Sequence, residues 1–233
     1  VSKSKYRILF VDNETNHQLY KPLDHWRPLF LHPFEVYHAP YEKPPSLDSF
    51  THIILSGSLS STLENKEWMK AEEELIRTAV QQGKVLLGNC FGHQLVAKAL
   101  FGDKAVRIRD KPEIGWPAME MLFDDPLLGS SGDIIHGFVL HFDEVQVVLE
   151  DQAKIILRSL ECENLAFKLK DRPVWGIQPH FEIGIVQGFE VIDVVKGPDV
   201  PDKSVFLNSP EIAPRDSGAI VRMMKVFQST EPV

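Results

Sequence analysis

Three short, nearly unbroken apolar runs do most to limit what this chain can fold into. They are Arg7-Ile8-Leu9-Phe10-Val11-Asp12, Thr51-His52-Ile53-Ile54-Leu55-Ser56-Gly57 and Lys84-Val85-Leu86-Leu87-Gly88. Runs this short, without polar alternation, read as strands covered on both faces. Phe34 to Ala39 reads as a further strand. Between the last two runs, Trp68, Ala71, Leu75, Ile76 and Ala79 recur at helical spacing. That predicts a helix over Asn65 to Gln82, with Asn65 as its cap and Gly83 as its stop. A second helix is predicted over Gly92 to Leu100. Strands alternating with helices point to a parallel sheet covered on both sides.

The second half reads differently. Trp116 to Phe123, Phe138 to His141, Ile155 to Arg158, Leu165 to Leu169 and Val174 to Gln178 are predicted strands with short turns, several of them antiparallel at the sheet edge. Glu182 to Val195 is predicted helical. Pro198, Pro201, Pro210 and Pro214 make residues 197–214 an expected irregular connection, before a last helix over Asp216 to Phe227. A single domain over residues 1–233 is expected, with a core at about 6–195 and a C-terminal Pro-rich loop and helix at 197–229.

The most informative segment is Leu87-Gly88-Asn89-Cys90-Phe91-Gly92-His93-Gln94. Cys90 falls where a buried strand meets a helix, with a glycine two residues away on each side. A sharp strand-to-helix turn needs such small neighbours and pushes its central side chain out of the sheet. The thiol then sits at a helix N-terminus, which favours thiolate. The Phe91 amide is placed to stabilise an oxyanion. A buried structural cysteine is the competing reading. Much later comes Trp175-Gly176-Ile177-Gln178-Pro179-His180-Phe181-Glu182. In an extended chain His180 and Glu182 project to one side, where a carboxylate holds an imidazole's tautomer. A histidine at a strand end is the alternative.

Together the two segments resemble the class I glutamine amidotransferase family. Its nucleophile motif G-x-C-x-G-x-Q is matched by Gly88, Cys90, Gly92 and Gln94, and its Q-x-H-P-E motif by Gln178, His180 and Glu182, with Phe181 in the proline position. Leu55-Ser56-Gly57-Ser58 resembles the family's S-G-G-P oxyanion loop. His141-Phe142-Asp143-Glu144-Val145 resembles an H-x-D-x-V segment bordering the glutamine pocket, and Ile114-Gly115-Trp116 an I-G-W of stand-alone members. The likeness covers roughly residues 6 to 190 and is stronger to the stand-alone γ-glutamyl peptidase-like branch.

The resemblance implies an α/β fold, a flavodoxin-like three-layer sandwich with a mostly parallel central sheet and an antiparallel edge extension. It implies a Cys90, His180 and Glu182 triad, oxyanion donors at Phe91 and at Gly57 or Ser58, and a substrate pocket shaped by Gln94, His141 and Phe142. The expected reaction is cleavage of a γ-glutamyl amide, glutamine to glutamate and ammonia, through a thioester and without a cofactor. A synthetase partner is possible. The alternatives are a stand-alone γ-glutamyl peptidase acting on a small conjugate, and a decayed binding or regulatory module.

Composition excludes several other classes. The net charge of -8 argues against a nucleic-acid surface, which needs cations against phosphates. Two cysteines, Cys90 and Cys162, make no disulfide framework, so a cytoplasmic setting is expected. Val1 to Tyr6 is polar and basic with no apolar h-region behind it, so no secretory leader is expected, and no apolar run approaches a membrane span. Nine histidines occur, but none falls in H-E-x-x-H; His17, His25, His32 and His38 read as scattered, and no metal is expected. Cys162 sits between Glu161 and Glu163, whose charges disfavour thiolate.

Overall fold

The computed structural model describes residues 5–146, 151–195 and 200–233, so Val1 to Ser4 and Pro198 lie outside the described residues. The strands are β1 (Ile8–Asp12), β2 (Phe34–His38), β3 (His52–Leu55), β4 (Val85–Asn89), β5 (Val106–Gly115), β6 (Met119–Met121), β7 (Ile134–Ile135), β8 (Val139–Val145), β9 (Ala153–Arg158), β10 (Ala166–Leu169) and β11 (Val174–Ile177). The α-helices are α1 (Pro22–Trp26), α2 (Glu67–Gln81), α3 (Phe91–Phe101), α4 (Ile185–Val194), α5 (Lys203–Asn208) and α6 (Ala219–Phe227).

One sheet runs in the order β2-β1-β3-β4-β11-β10-β9-β6-β7. From β2 to β11 every pairing is parallel; from β10 outward every pairing is antiparallel. Alternate residues of the apolar runs serve opposite faces, as the pleat requires. Leu9, Val11, Ile53, Leu55 and Leu86 pack with α2 and α3; Ile8, Phe10, Ile54, Val85 and Leu87 pack with Trp26 of α1 and Met223, Met224 and Phe227 of α6. This is the flavodoxin-like three-layer α/β sandwich, with its antiparallel strands at the edge. Each fully buried aliphatic or aromatic side chain contributes about 1.5–3 kcal/mol. Two such faces stabilise the fold without a crosslink, and both cysteines are free.

Several expectations need correction. Asn65 does not cap α2: it adopts a left-handed conformation (φ 53°) closing a preceding 3-10 turn, and Lys66 stands at the helix start. β5 escapes sequence reading because Val106 to Gly115 is rich in charge and contains Pro112. It pairs with β8 in a separate two-stranded sheet, so the segment beginning at Phe138 leaves the main sheet. The strand expected over Trp116 to Phe123 shrinks to Met119–Met121, since Pro117 has no amide to donate. The irregular connection holds a short helix, α5, whose first turn is capped by Asp202 through the Ser204 amide. A third apolar cluster joins these additions, with Trp116, Phe138, Ile192 and Phe206 at its centre.

The junction of β4 and α3 is packed backbone to backbone. A Cβ placed on Gly92 would lie 2.5 Å from the Leu55 carbonyl oxygen, and one on Gly88 2.4 Å from the Gly92 oxygen. Neither neighbour is a flexible side chain. Gly92→Ala should therefore destabilise the protein by about 1–3 kcal/mol, the usual cost of overpacking. Urea unfolding measures this; an unchanged midpoint would contradict the packing described.

Candidate active site

Cys90 links β4 to α3 with φ 49° and ψ -105°, a conformation that costs a non-glycine residue on the order of 1–3 kcal/mol. Neighbouring contacts hold it there. The Cys90 amide donates to the Ile177 carbonyl at 2.9 Å, and the Gly92 amide to the Ser56 carbonyl at 3.2 Å. Cys90 is buried but borders the cavity described below. Phe91 is the first residue of α3, so its amide has no partner within the helix.

His180 and Glu182 meet in a turn rather than along an extended strand. The His180 amide bonds the Phe138 carbonyl at 2.7 Å, and the chain then folds back toward α4. His180 Nδ1 lies 2.6 Å from Glu182 Oε1. The Glu182 side chain is fully buried. Asn89, beside the cysteine, donates to the Pro179 carbonyl at 2.8 Å and ties this turn to the β4 junction. Burial alone would lower the pKa of His180; the Glu182 carboxylate and the Cys90 sulfur outweigh it and raise it to about 10. Phe181, in the family's proline position, is buried and packs across Gly137, where a Cβ would lie 2.6 Å from its ring.

Gly57 lies between the two halves. A Cβ there would meet His180 Cε1 at 2.8 Å and Cys90 Cβ at 3.5 Å. The loop that follows is well anchored. Glu14 Oε2 accepts the Leu59 amide at 2.8 Å, and Ser58 Oγ accepts the Ser60 amide at 3.1 Å. The Asn13 side chain holds the Ser56 carbonyl at 3.0 Å.

A cavity of about 470 Å³ opens above Cys90, with Ser58, Gln94, His141, Phe142 and Asp143 in its walls. Gln94 donates to the Asp143 carbonyl and to Gln178 Oε1, both at 3.1 Å. Phe142 is exposed at the rim. The His141 ring is engaged elsewhere, with Nε2 3.0 Å from Glu113 Oε2 and Nδ1 2.8 Å from the Asp143 carbonyl. Acidic side chains, Glu64 and Asp143, are in the lining. Burial raises the pKa of Asp143, against the opposing hydrogen bond from Ser61.

Sequence reading missed three residues here. Asn89 and Glu14 act through partners distant in sequence. Tyr20 borders a small pocket with Ser58, Cys90 and His180, its ring centroid 6.5 Å from that of His180. The Tyr20 hydroxyl is buried and has no hydrogen-bond partner among the described residues. A lone tyrosine in a polar loop carried no pattern that would have singled it out.

Cys162 belongs to a second group, with Glu113 and His141. It is sealed in the core, and burial first, then the Glu113 charge, pushes its thiol up to about 12. Glu113, from β5, is therefore the opposing carboxylate, in place of the sequence neighbours Glu161 and Glu163. A closed thiol of that pKa is no nucleophile.

Residues 10–187, more than half of the chain, match the family described as Glutamine amidotransferase class-I. The chain belongs to the class I glutamine amidotransferases. Among curated relatives, a GMP synthase (glutamine-hydrolyzing) subunit from Methanothermobacter thermautotrophicus is 36% identical over 42% of this chain and 51% of its own length. Gamma-glutamyl peptidase 4 of Arabidopsis thaliana is 28% identical over 70% of this chain and 65% of its own length. The match thus spans about half of the first relative and under two thirds of the second. A solved glutamine amidotransferase of Thermotoga maritima shares the fold, with TM-score 0.71, 20% identity and coverage of 97% of this chain and 100% of that one.

The raised pKa of His180 has a signed consequence. A histidine whose pKa is higher folded than unfolded contributes stability in full below its unfolded value, about 6.5, and loses it as pH rises through the folded value. For His180 the folded value is about 10. Stability should therefore decline across that window, and Glu182→Gln should flatten the decline by removing the main charge that raises it. Urea midpoints across the pH series test this, and identical slopes in parent and variant would contradict it.

Proposed function

We propose that this amidotransferase-family chain hydrolyses γ-glutamyl amides, with Cys90 as nucleophile, His180 as general acid and base, and Glu182 orienting His180. One observation carries the reading: a backbone-strained cysteine at the end of β4 faces the His180–Glu182 pair across a glycine too crowded to bear a side chain. The Cys90 thiolate attacks the γ-carbonyl carbon, and the carbonyl electrons move onto oxygen. The Phe91 amide and an amide of the Gly57-Ser58 loop hold that oxyanion. The tetrahedral adduct collapses, the C–N bond breaks, and His180 gives its proton to the departing amine. Water then attacks the γ-glutamyl thioester, with His180 taking its proton, and glutamate leaves with Cys90 restored. None of these steps needs a cofactor.

The cavity suits the rest of such a substrate. Glu64 and Asp143 favour an α-ammonium, and Gln94, tied to Gln178, shapes the floor. The Phe142 ring adds an apolar wall at the rim. Tyr20 is assigned a hydrogen bond to bound substrate, since its hydroxyl otherwise stays unpaired.

A second reading, activity without a synthetase partner, is favoured by the oxyanion loop. The GMP synthase relative, named as one subunit of its enzyme, supports a partner. Here, however, Glu14 and Ser58 already hold the loop amides at 2.8 and 3.1 Å. A loop fixed in this way does not need a partner to order it. The γ-glutamyl peptidase among the relatives supports the same reading.

Purified protein alone should release glutamate from glutamine or from small γ-glutamyl peptides. Cys90→Ala should lose on the order of 10⁴-fold or more while keeping its fold. Tyr20→Phe should lose roughly tenfold in kcat/KM without losing stability, because it also removes an unpaired buried hydroxyl. Full activity in Cys90→Ala would dispose of the mechanism. A parent inert until a synthetase is added would restore dependence on a partner.

A further inference from the structure

Two histidines that read as scattered in sequence meet in the fold. β1 and β2 are parallel neighbours with Asp12 in register with His38, so both residues leave the carboxyl edge of the sheet side by side. His17 returns to the same point from the loop after β1. Its Nε2 lies 3.0 Å from Asp12 Oδ2, and His38 Nδ1 lies 3.6 Å from that oxygen. All three ligand atoms fall within 4.8 Å of one another.

A tetrahedral zinc ion with bonds of about 2.0–2.1 Å holds its ligand atoms roughly 3.3 Å apart. The separations of the two histidine nitrogens from Asp12 Oδ2 bracket that value. His38 Nδ1 is a buried atom with no hydrogen bond, facing a carboxylate oxygen that is too distant to accept one. The Asp12 side chain is 1% exposed, whereas those of His17 and His38 are 33% and 38% exposed. The anionic ligand is therefore dry and the approach from solvent open.

The surroundings aim these atoms. Asp12 Oδ1 accepts the Glu14 amide at 3.0 Å, which directs Oδ2 toward the histidines. The Ala39 amide donates to the Asp12 carbonyl at 3.0 Å, and the Tyr41 hydroxyl donates to the Thr15 carbonyl. The segments carrying His17 and His38 are thus tied together before any ion arrives.

We propose that Asp12, His17 and His38 bind a divalent first-row cation of the zinc class, with water completing the coordination. The ion takes the place of the Nε2 proton that His17 shares with Asp12 Oδ2, so His17 offers Nε2; His38 offers Nδ1. The ion clamps the loop after β1 to the end of β2. That loop carries Glu14, which holds the Leu59 amide, and Leu19, which lines the cavity above Cys90. The ion takes no part in the chemistry at Cys90.

The test is zinc titration by calorimetry in a Cys90→Ala/Cys162→Ser background, so that no thiol competes. One zinc per chain should bind, with micromolar affinity or better. His17→Ala and His38→Ala should each weaken binding by more than the roughly 10- to 100-fold that follows loss of a ligand's own hydrogen-bond partner. Cobalt(II) added to the same background should give the visible absorption of a four-coordinate N/O site, a readout independent of any histidine variant. Absence of saturable one-to-one uptake, or uptake unchanged in either histidine variant, would overturn the proposal.

Discussion

The strained backbone of Cys90 is the constraint around which the rest of this structure is arranged. A cysteine at φ 49° and ψ -105° persists only when its surroundings over-determine it. Here β3 and β11 flank the end of β4, α3 begins at once, and Gly88 and Gly92 let backbone approach backbone where no side chain fits. The unbroken apolar runs of β1, β3 and β4 supply the two-sided burial that offsets the strain. Fold and site are therefore one problem: the packing that stabilises the sheet also aims the sulfur.

The contrast between the two cysteines shows how environment divides one side-chain type into two behaviours. Cys90 stands at a helix start, borders a cavity and faces a histidine paired with a buried carboxylate. Cys162 also has a histidine and a glutamate nearby, yet it is enclosed in the core with its thiol pushed up to about 12. His141 spends both ring nitrogens on Glu113 and the Asp143 carbonyl, and so braces the cavity wall. Composition and proximity alone would rank the two clusters alike. Access and electrostatics separate them.

Much of the fold was legible because its central strands are buried on both faces, and a run such as Ile53-Ile54-Leu55 admits few other readings. The strand-to-helix junction at Cys90 was legible because its glycines are local. The charged strand β5 was not, since its partners in β8 lie 24 to 39 residues away and its exposed positions carry Arg107, Asp110 and Lys111. Asn65 misled because a left-handed residue closing one turn looks, in sequence, like the cap of the next helix. His180 and Glu182 were expected side by side along an extended chain but approach through a turn pinned by Asn89. Glu14, Tyr20 and the His17–His38 pairing depend on loops brought together by the parallel sheet, which no local pattern encodes.

The central claim is that Cys90, and not merely a cysteine of this chain, is the group that forms a γ-glutamyl thioester. Incubating the protein with an electrophilic glutamine analogue and mapping the adduct by peptide mass spectrometry tests it most directly. The account predicts a single adduct on the peptide containing Cys90, formed far more slowly in His180→Ala, with Cys162 unlabelled in the folded protein. Labelling of Cys162 in preference to Cys90, or labelling of Cys90 at the same rate without His180, would contradict it.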